Sequence, residues 1–570
     1  MTTSFRVALG QVHAQVGDID GNVARILEQW REANAAGCDL IVFTELAVPG
    51  YLPEDLLLKP EFVAANMAAV EDLAAAGPKD TVAVVGYARD GGAPSEYHQT
   101  WDVAVSTLDL HNSAAVLSNG RVAAVYDKWR LPNYGVFDEA RYFVPEDDPI
   151  VVRVAGVPVG ITICEDMWVD QGPLHVAAQA GARVIANLNA SPWHVGKRAA
   201  REQWACRHAV EDSTWLLYCN VLGGQDDVVF DGDSMIVGPD GAVLARGAQF
   251  EEDLVIVDLP VEEAEAAAPD LDGFGGERPA LAAHVDRPRL DPVAEVWQGV
   301  VRATRDYCHR NGFTDAIVGL SGGIDSAVTA AIAADALGGE NVLGVLMPSP
   351  YSSDHSISDA QRLADNLGLQ SMTIPINDGM KALDQMLADA FVGLEPDITE
   401  ENIQARLRGI TLMALSNKRR AIVLTTGNKS EYAVGYATLY GDMCGGFAPI
   451  KDVPKMLVYD LARHRASLGP SIPEGSLTKP PSAELRPGQL DQDTLPPYEI
   501  LDKLIQGYVE QDRSIADLVS DGHDEAMVRH VVQLIDRAEY KRRQAPPGPK
   551  VTTKAFGRER RVPITSGWRG

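Results

Sequence analysis

The stretch Gly319-Leu-Ser-Gly-Gly-Ile-Asp-Ser326 directly follows the apolar residues Ala316–Val318, and we predict that it joins a strand to a helix over Ser326–Leu337. It lacks the Gly-Lys-Ser/Thr ending of a Walker loop. Its two adjacent glycines let backbone N–H groups approach an anion, while the serine hydroxyls and the helix N-terminus add donors. Pyrophosphate is the natural ligand of such a loop, with Asp325 placed to hold Mg²⁺ against it.

Strand-like and helix-like segments alternate on both sides of this loop. Strands separated by helix-length segments are typical of parallel βαβ units, so we expect a doubly wound parallel sheet. The predicted strands are Ala316–Leu320, Val342–Met347, Ser371–Ile374 and Ala421–Thr425. The predicted helices are Val293–Asn311, Ser326–Leu337, Ser356–Leu367, Glu400–Asn417, Tyr498–Gln511 and Asp524–Tyr540.

The first half of the chain also alternates strands and helices, but less regularly. Its strands carry Val and Ile on both faces, which indicates a sheet buried on both sides. Several strands follow one another directly, so antiparallel pairs are expected among them. The predicted strands are Arg6–Leu9, Leu40–Phe43, Val82–Tyr87, Val157–Ile163, Val184–Asn187, Trp215–Asn220 and Met235–Val237. The predicted helices are Asn22–Ala36, Glu61–Ala75 and Pro173–Ala180.

The length of 570 residues alone suggests roughly three or four domains. The segment Glu262–Pro292 has no apolar period and is rich in glycine and proline, so we interpret it as a linker. We therefore expect two large α/β domains, 1–265 and 292–570, joined by a linker over 266–291.

The composition limits the partners of the chain. With 80 acidic and 50 basic residues, its net charge of −30 repels nucleic-acid backbones, so any anionic ligand must be met by local donors. The six cysteines form no Cys-x-x-Cys pair, which argues against a zinc ribbon or a disulfide framework and favours a reducing cytoplasm. No run of about 18 apolar residues occurs, and the N-terminus lacks the pattern of a signal peptide. We expect a cytoplasmic protein with small-molecule substrates and no membrane or nucleic-acid partner.

Three segments of the first half place reactive side chains near strand ends, where the active sites of α/β sheets form. The strand Val157–Ile163 runs into Cys164, Ile41–Thr44 runs into Glu45, and Lys128 stands before a turn. Taken singly, the cysteine fits a small buried hydrophobe, and the two charged residues fit a solvated surface.

Together these segments resemble the nitrilase (carbon–nitrogen hydrolase) superfamily from residue 4 to about 260, which implies an αββα sandwich. The resemblance implies that Cys164 is the nucleophile, Glu45 the general base and Lys128 the oxyanion stabiliser, with Glu139 supporting Lys128. A carboxamide needs a thiolate as nucleophile, so we expect the lysine to lower the pKa of the thiol.

The segment Ser191-Pro-Trp-His-Val-Gly-Lys197 resembles the part of glutamine-specific members that binds the α-amino-acid group of the substrate. Together with Tyr134, it places Ser191 and Lys197 as glutamine-binding residues. A simple turn with a surface lysine is the alternative interpretation.

The loop Gly319–Ser326 matches the PP-loop of the N-type ATP pyrophosphatases, which cleave ATP into AMP and pyrophosphate. Later strings decide among their reactions: Glu400–Arg408, Thr425–Glu431, Thr438–Asp442, Pro480–Leu485, Asp491–Asp493 and Tyr540–Gln544. From about residue 292 onwards they resemble the NAD⁺ synthetase family. One departure is Leu439, where ammonia-only members tend to carry a lysine.

This resemblance implies two substrate sites and one metal site. The residues implied to bind ATP are Gly319, Leu320, Ser321, Gly322, Gly323, Ile324, Asp325, Ser326, Thr426, Lys455 and Ser482. The residues implied to contact nicotinic acid adenine dinucleotide (deamido-NAD) are Asn402, Glu431 and Lys541. Asp325 and Glu431 would hold Mg²⁺.

The two resemblances together imply one activity. Ammonia released from glutamine in the first domain would amidate deamido-NAD through an acyl-adenylate in the second, completing NAD biosynthesis. A homo-oligomer with a shielded passage for ammonia is also implied.

Other functions fit the sequence less well. An asparagine synthetase needs a cysteine directly after Met1, where this chain has Thr2, and a GMP synthetase uses a Cys–His–Glu glutaminase. A plain amidase whose second domain senses ATP and a non-catalytic scaffold are further alternatives.

The end of the chain, Lys550–Arg569, is basic and contains six Lys or Arg residues. We consider two interpretations of this segment, a disordered solvated tail and a clamp over the phosphates of the dinucleotide near Lys541.

Overall fold

The computed structural model describes residues 2–92, 109–262, 268–281, 287–469 and 471–568. The chain forms two compact units, one of Met1–Gln225 and Val229–Arg289 and the other of Asp226–Val228 and Leu290–Gly570. Parts of the predicted linker, at 266–267 and 282–286, and Arg569 of the basic end lie outside the described residues. Within the described ranges, no helix combines the length and the apolar character needed to cross a bilayer.

The part of the chain before residue 290 contains fifteen described strands and four described helices. The strands are β1 (Thr2–Gln11), β2 (Leu40–Val42), β3 (Val82–Asp90), β4 (Leu110–Ser118), β5 (Arg121–Asp127), β6 (Ile150–Val154), β7 (Val157–Ile163), β8 (Val184–Asn189), β9 (Trp215–Asn220), β10 (Leu222–Gln225), β11 (Val228–Asp231), β12 (Met235–Val237), β13 (Val243–Arg246), β14 (Asp253–Glu262) and β15 (Asp270–Leu271). The helices are α1 (Ile19–Ala35), α2 (Pro60–Ala76), α3 (Pro173–Gln179) and α4 (Lys197–Glu211).

Two mixed sheets form the centre of the first unit. One has the strand order β14-β1-β2-β3-β4-β5 and the other β13-β12-β9-β8-β7-β6-β15. In each, a parallel core, β1-β2-β3 or β7-β8-β9, is extended by antiparallel strands. The predicted mixture of parallel and antiparallel pairs is therefore confirmed.

The sheets pack face to face and are covered by helices on their outer faces. The core between them joins Val7 and Val84 of one sheet to Ile161 and Leu217 of the other. Outside, Trp30 of α1 and Leu73 of α2 pack on the first sheet. Helices α3 and α4 cover the second sheet in the same way. The layers form the αββα sandwich that the family resemblance implies, and both faces of each sheet are apolar, as the strand composition predicts.

The second unit is built on one parallel sheet of order β18-β17-β16-β19. Its strands are β16 (Ala316–Leu320), β17 (Val342–Leu346), β18 (Gln370–Thr373) and β19 (Ile422–Leu424). Its helices are α5 (Pro292–Arg310), α6 (Ile324–Leu337), α7 (Asp354–Leu367), α8 (Asn377–Leu387), α9 (Ile398–Arg419), α10 (Lys429–Val434), α11 (Lys455–Ser467), α12 (Glu474–Thr478), α13 (Tyr498–Ile505), α14 (Ile515–Ser520), α15 (Glu525–Arg537) and α16 (Glu539–Arg542).

Helices cover both faces of this sheet. On one face Ile317, Val345 and Val423 pack against Leu412 of α9, and α6, which is buried along most of its length, packs on β16 and β17. Beyond the sheet, α10, α13 and α15 enclose a second apolar cluster that includes Phe556. The predicted doubly wound parallel sheet is confirmed, with this helical cluster added to it.

The basic end of the chain is folded onto the second unit. Val551 is fully buried, and the Phe556 ring packs in the helical cluster. Lys550 pairs with Glu559, with 2.6 Å between Nζ and Oε2. Lys554 pairs with Asp512, and Arg560 contacts Asp536 and Glu539. The expectation of a disordered tail is therefore wrong for residues 550–560, because carboxylates of the same unit neutralise these cations.

Candidate active sites

Cys164 lies at the carboxyl end of β7, where it opens a short 3₁₀ turn, Cys164–Met167. Its φ is +43°, an uncommon value for a side-chain-bearing residue and one that occurs at functional sites. Asp166 holds the turn, because its carboxylate accepts hydrogen bonds from the Ile163 amide and the Tyr126 hydroxyl, both at 2.8 Å. Burial raises the pKa of Asp166 to about 6.

A buried ion cluster surrounds Lys128. Its Nζ lies 2.6 Å from Glu45 Oε1 and 2.8 Å from Glu139 Oε2. Both carboxylates are buried, and the charges of Glu45 and Lys128 act on the Cys164 thiol. Burial alone lowers the pKa of the Lys128 ammonium, but the two carboxylates hold it well above its ordinary value. The ammonium is therefore charged at neutral pH.

Three further groups fix the carboxylates. The Asn112 amide donates to Glu45 Oε1 at 2.8 Å, and the Ala190 N–H donates to Glu45 Oε2 at 2.9 Å. The Tyr51 hydroxyl donates to Glu139 Oε1 at 2.7 Å. No local motif points to Tyr51, Asn112 or Ala190, because each contacts a carboxylate that is far away in the sequence.

The state of the thiol differs from the expectation. The pKa of Cys164 is well above its ordinary value, first because the side chain is buried and second because the Glu45 charge opposes a thiolate. Lys128 and the Ala190 amide act in the expected direction but do not outweigh these effects. The resting side chain of Cys164 is therefore a neutral thiol, which would have to lose its proton to act as a nucleophile.

Polar groups around Glu165, next to Cys164 in the chain, form a second part of this site. The Tyr134 hydroxyl donates to both Glu165 oxygens at 3.0 Å, and the charge of Lys197 acts on the same carboxylate. Lys197 begins α4, and its Nζ lies 3.7 Å from the centre of the Trp168 ring. Tyr134 is 56% exposed, so this group of residues is open to a ligand. Ser191 is buried and contacts Arg201.

The second unit contains a cavity of about 290 Å³ at the carboxyl ends of β16 and β17. Such crevices are the usual ligand sites of parallel sheets. Of the eleven residues implied to bind ATP, all except Gly322 line it, namely Gly319, Leu320, Ser321, Gly323, Ile324, Asp325, Ser326, Thr426, Lys455 and Ser482. None of the described lysines and arginines of the basic end lines this cavity.

Gly322 closes the PP-loop from behind. Its φ is +79°, and a Cβ atom there would stand 2.4 Å from the Ser356 carbonyl oxygen. Only glycine fits this position without a shift of backbone. Ser321 and Ser326 hold the other side of the loop, with their hydroxyl oxygens 3.1 Å apart. The loop is thus shaped by its own residues and by the first turn of α7.

The polar end of the cavity has more carboxylates than cations. Lys455 Nζ contacts Asp325 and lies 3.3 Å from Glu431 Oε1. Burial, Asp325 and Asp491 together raise the pKa of Glu431 to about 8, although Lys455 acts in the opposite direction. Asn428 donates to Asp325 Oδ1 at 2.8 Å and fixes the orientation of that carboxylate.

Asn402 and Lys541 do not line the cavity. Asn402 accepts a hydrogen bond at 2.8 Å from the hydroxyl of Thr438, which does line it. Lys541 donates to the carbonyl oxygens of Gly435 and Ala437 at 2.8 and 2.7 Å. Their contacts with deamido-NAD therefore stay predictions. At the departure from the family pattern, the Leu439 carbonyl accepts from Arg406 Nε at 3.2 Å.

The cavity also contains charged residues without an assigned role in the sequence analysis. Arg408 lines it, and burial lowers the pKa of its guanidinium. Lys479 and Glu484, also in the lining, form an ion pair. The motif strings include Arg408 and Glu484, but a string does not show which of its members face a cavity.

Comparisons with known proteins find two families, one matching the first compact unit and one matching the second. Residues 6–269 match the carbon-nitrogen hydrolase family, and residues 296–545 match the NAD synthase family. The glutamine-dependent NAD(+) synthetases of Thermotoga maritima and Acinetobacter baylyi are each 44% identical to the chain; the alignments cover 99% of this chain and 98% and 99% of those proteins. The chain belongs to the glutamine-dependent NAD(+) synthetase family.

A solved structure supports this membership of the glutamine-dependent NAD(+) synthetase family. The glutamine-dependent NAD+ synthetase of Acinetobacter baumannii, in complex with ADP, is 40% identical, with a TM-score of 0.75 and 99% of both chains covered. The synthetase from Cytophaga hutchinsonii, at 20% identity and a TM-score of 0.80, shows the same fold.

Proposed function

We propose that the chain converts deamido-NAD to NAD⁺ with ATP, using ammonia that its first unit releases from glutamine. The Glu45–Lys128–Glu139 cluster beside Cys164 carries the glutaminase half of this proposal. The PP-loop cavity with Asp325, Glu431 and Lys455 supports the synthetase half, as does the similar structure that holds ADP.

In the first unit, Glu45 takes the proton of the Cys164 thiol while the sulfur attacks the carboxamide carbon of glutamine. Lys128 stabilises the oxyanion of the tetrahedral intermediate, and one such donor is worth roughly 3–4 kcal/mol. The proton then passes from Glu45 to the departing ammonia and leaves a thioester on Cys164. Glu45 next activates a water molecule that cleaves the thioester to glutamate and restores the thiol.

Glu139 keeps the lysine in place during these steps. It accepts from Lys128 through both oxygens, at 3.0 and 2.8 Å, and Tyr51 supports it from behind. Tyr134 and Lys197, grouped around Glu165, would bind the α-amino-acid group of glutamine, and Ser191 would add its hydroxyl. The position of Lys197 over the Trp168 ring and the action of its charge on Glu165 favour this assignment over a simple turn with a surface lysine.

In the second unit, the carboxylate of deamido-NAD attacks the α-phosphorus of ATP and releases pyrophosphate. Ammonia then attacks the acyl-adenylate carbon, and AMP leaves. The PP-loop amides and hydroxyls, Thr426 and Lys455 would hold the phosphates and Ser482 the nucleotide. Asn402, Glu431 and Lys541 would contact the dinucleotide.

Mg²⁺ fits the donor set of this cavity. Asp325 and Glu431 offer carboxylate oxygens, and magnesium at phosphate sites takes one or two such ligands beside phosphate and water oxygens. Burial, together with the charges of Asp325 and Asp491, raises the pKa of Glu431, and a bound cation would favour its ionised form. When bound, Mg²⁺ supplies charge neutralisation and polarises phosphoryl oxygens.

One assay tests the proposal directly. Purified protein with ATP, Mg²⁺, deamido-NAD and ammonium should form NAD⁺, and glutamine should replace ammonium. Absence of NAD⁺ with ammonium would contradict the ligase assignment and favour the alternative of a plain amidase. Cys164→Ala should abolish the use of glutamine and retain that of ammonia, while Asp325→Ala should block both.

Three further features belong to the proposal. Free ammonia is mostly protonated at neutral pH, so a shielded passage between the sites is expected. A homo-oligomer is implied by the family resemblance. Analytical ultracentrifugation tests the oligomeric state.

The free cysteines and the substrates support a cytoplasmic location.

A further inference from the structure

Arg201 is a fully enclosed arginine of α4 that the reaction steps above do not use, and it is 1% exposed. Its Nε donates to Ser191 Oγ at 3.1 Å, and its Nη2 donates to the Ser191 carbonyl oxygen at 2.7 Å. Its Nη1 donates to Asp231 Oδ1 at 2.6 Å. The Arg201 guanidinium thus links Ser191, which is implied to bind glutamine, with the buried carboxylate of Asp231.

The same serine is held from a third direction. Asn220 accepts a hydrogen bond from the Ser191 N–H at 2.9 Å and donates to the Gly232 carbonyl oxygen, also at 2.9 Å. The amide, carbonyl and hydroxyl oxygen of Ser191 therefore all have fixed partners. A buried ion pair such as Arg201–Asp231 adds little net stability, because desolvation offsets the attraction. Its directional donors fix a geometry instead.

The position of Ser191 next to Ala190 connects this geometry to the reacting groups. The Ala190 N–H donates to Glu45 Oε2 at 2.9 Å, and the same amide acts on the Cys164 sulfur. A displacement of Ser191 would therefore also displace a hydrogen bond to the general base.

The direction of the Arg201–Ser191 hydrogen bond has a chemical consequence. A guanidinium is only a donor, so Ser191 Oγ accepts from Nε, and the hydroxyl proton is left for a second acceptor, either the nearby Tyr218 hydroxyl or a bound glutamine. Of the two charged groups on the α-carbon of glutamine, only the carboxylate accepts hydrogen bonds, since the ammonium has no free lone pair.

We propose that Arg201 is a positioning residue for glutamine hydrolysis. It directs the Ser191 hydroxyl towards the α-carboxylate of glutamine and, through the same backbone, keeps the Ala190 amide on Glu45. The inference rests on the glutaminase function proposed above, and it makes the Ser191 hydroxyl, held by Arg201, the group that sets the affinity for glutamine.

Arg201→Lys tests the inference, because lysine retains the charge beside Asp231 but cannot reproduce the planar set of donors. A hydrogen bond to a charged group is worth a factor of roughly ten to a hundred in binding. We expect KM for glutamine to rise by about that factor in NAD⁺ synthesis, while ammonia-dependent synthesis changes less than about twofold. Arg207→Lys, on the same helix with surface partners Glu211 and Asp170, is the matched control.

A double-mutant cycle separates positioning from a structural role. If Arg201 sets glutamine affinity through the Ser191 hydroxyl, the variant with both Arg201→Lys and Ser191→Ala should have the KM of Ser191→Ala within about twofold. The contact of Arg201 with the Ser191 carbonyl, which Ser191→Ala keeps, acts on kcat through Ala190 and Glu45. Independent, multiplying effects would overturn the inference. If Arg201→Lys does not fold, Asp231→Asn replaces it in the same cycle, with the same expected result.

Failure of the glutaminase function and failure of the Arg201 role give different results. Wild-type protein that makes NAD⁺ from ammonia but not from glutamine would contradict the proposed glutaminase. Wild-type protein that uses glutamine, with an Arg201→Lys variant whose KM stays within about twofold, would overturn only the role of Arg201.

Discussion

Gly322→Ala tests the geometry of the PP-loop with a change of one methyl group. The new Cβ would stand 2.4 Å from the Ser356 carbonyl oxygen and 2.7 Å from the Ser356 Cα, both backbone atoms of α7. Ordinary contact begins near 3.4 Å, so loop and helix must separate by about 1.0 Å. A misplacement of about 1 Å at a reacting centre costs about 10²-fold in rate. We therefore expect kcat/KM for ATP to fall about 100-fold with ammonia as the nitrogen source.

Gly312→Ala is the matched control for this variant. Its φ of +77° is close to that of Gly322, but a Cβ there meets no atom within 4 Å. Both variants carry the left-handed backbone penalty, roughly 1–2 kcal/mol, and should lose similar thermal stability from this cause. Only Gly322→Ala adds the collision. A Gly322→Ala variant whose kcat/KM for ATP stays within about threefold of that of Gly312→Ala would refute the reasoning.

Three other predictions concern charge. Glu45→Gln removes a charge that raises the pKa of Cys164, so alkylation of Cys164 by iodoacetamide at pH 8 should become several-fold faster. Glutamine hydrolysis should fall at least 10²-fold, because the general base is lost. Slower alkylation, measured by mass spectrometry, would contradict this prediction. The pKa of Glu431, about 8 in the folded chain against 4.5 as its ordinary value, means that the folded state binds the extra proton between these values. The stabilising contribution of Glu431 should therefore grow as pH falls from 8, by at most about 1.4 kcal/mol per pH unit, and urea unfolding of Glu431→Gln should lack this increment. Lys429 Nζ lies 2.9 Å from both Asp452 and Glu510, which share this cation. Lys429→Met leaves the two carboxylates without it and should lower the free energy of unfolding by about 3–5 kcal/mol. Equal denaturation midpoints would show that the ion cluster is dispensable.

Local pattern was sufficient for much of the fold. The predicted strand Val157–Ile163 coincides with β7, and the predicted helix at Ser326 begins two residues earlier, at Ile324. Local patterns did not indicate β4 or β14, although β14 pairs with β1 over ten residues. The β1–β14 pairing joins residues about 250 positions apart, so no local window contains both of its strands.

The candidate sites show the same limit. The family resemblance identified Glu45, Lys128 and Cys164, but it did not show that burial and the charge of Glu45 together keep the thiol neutral. Arg201 stands ten residues from Ser191 on a helix that was not predicted. A count of basic residues near the chain end likewise did not show that Glu559 neutralises Lys550.

The placement of the chain end has a consequence for synthesis on the ribosome. Lys429 is covered by Thr552 and by the carbonyl of Lys554, and Phe556 completes the apolar cluster of α10, α13 and α15. None of these contacts exists until residues 551–556 have been translated and have left the exit tunnel. A chain truncated before Val551 would therefore leave the Lys429 ammonium without these oxygens and the apolar cluster without Phe556, which would favour its degradation by proteases.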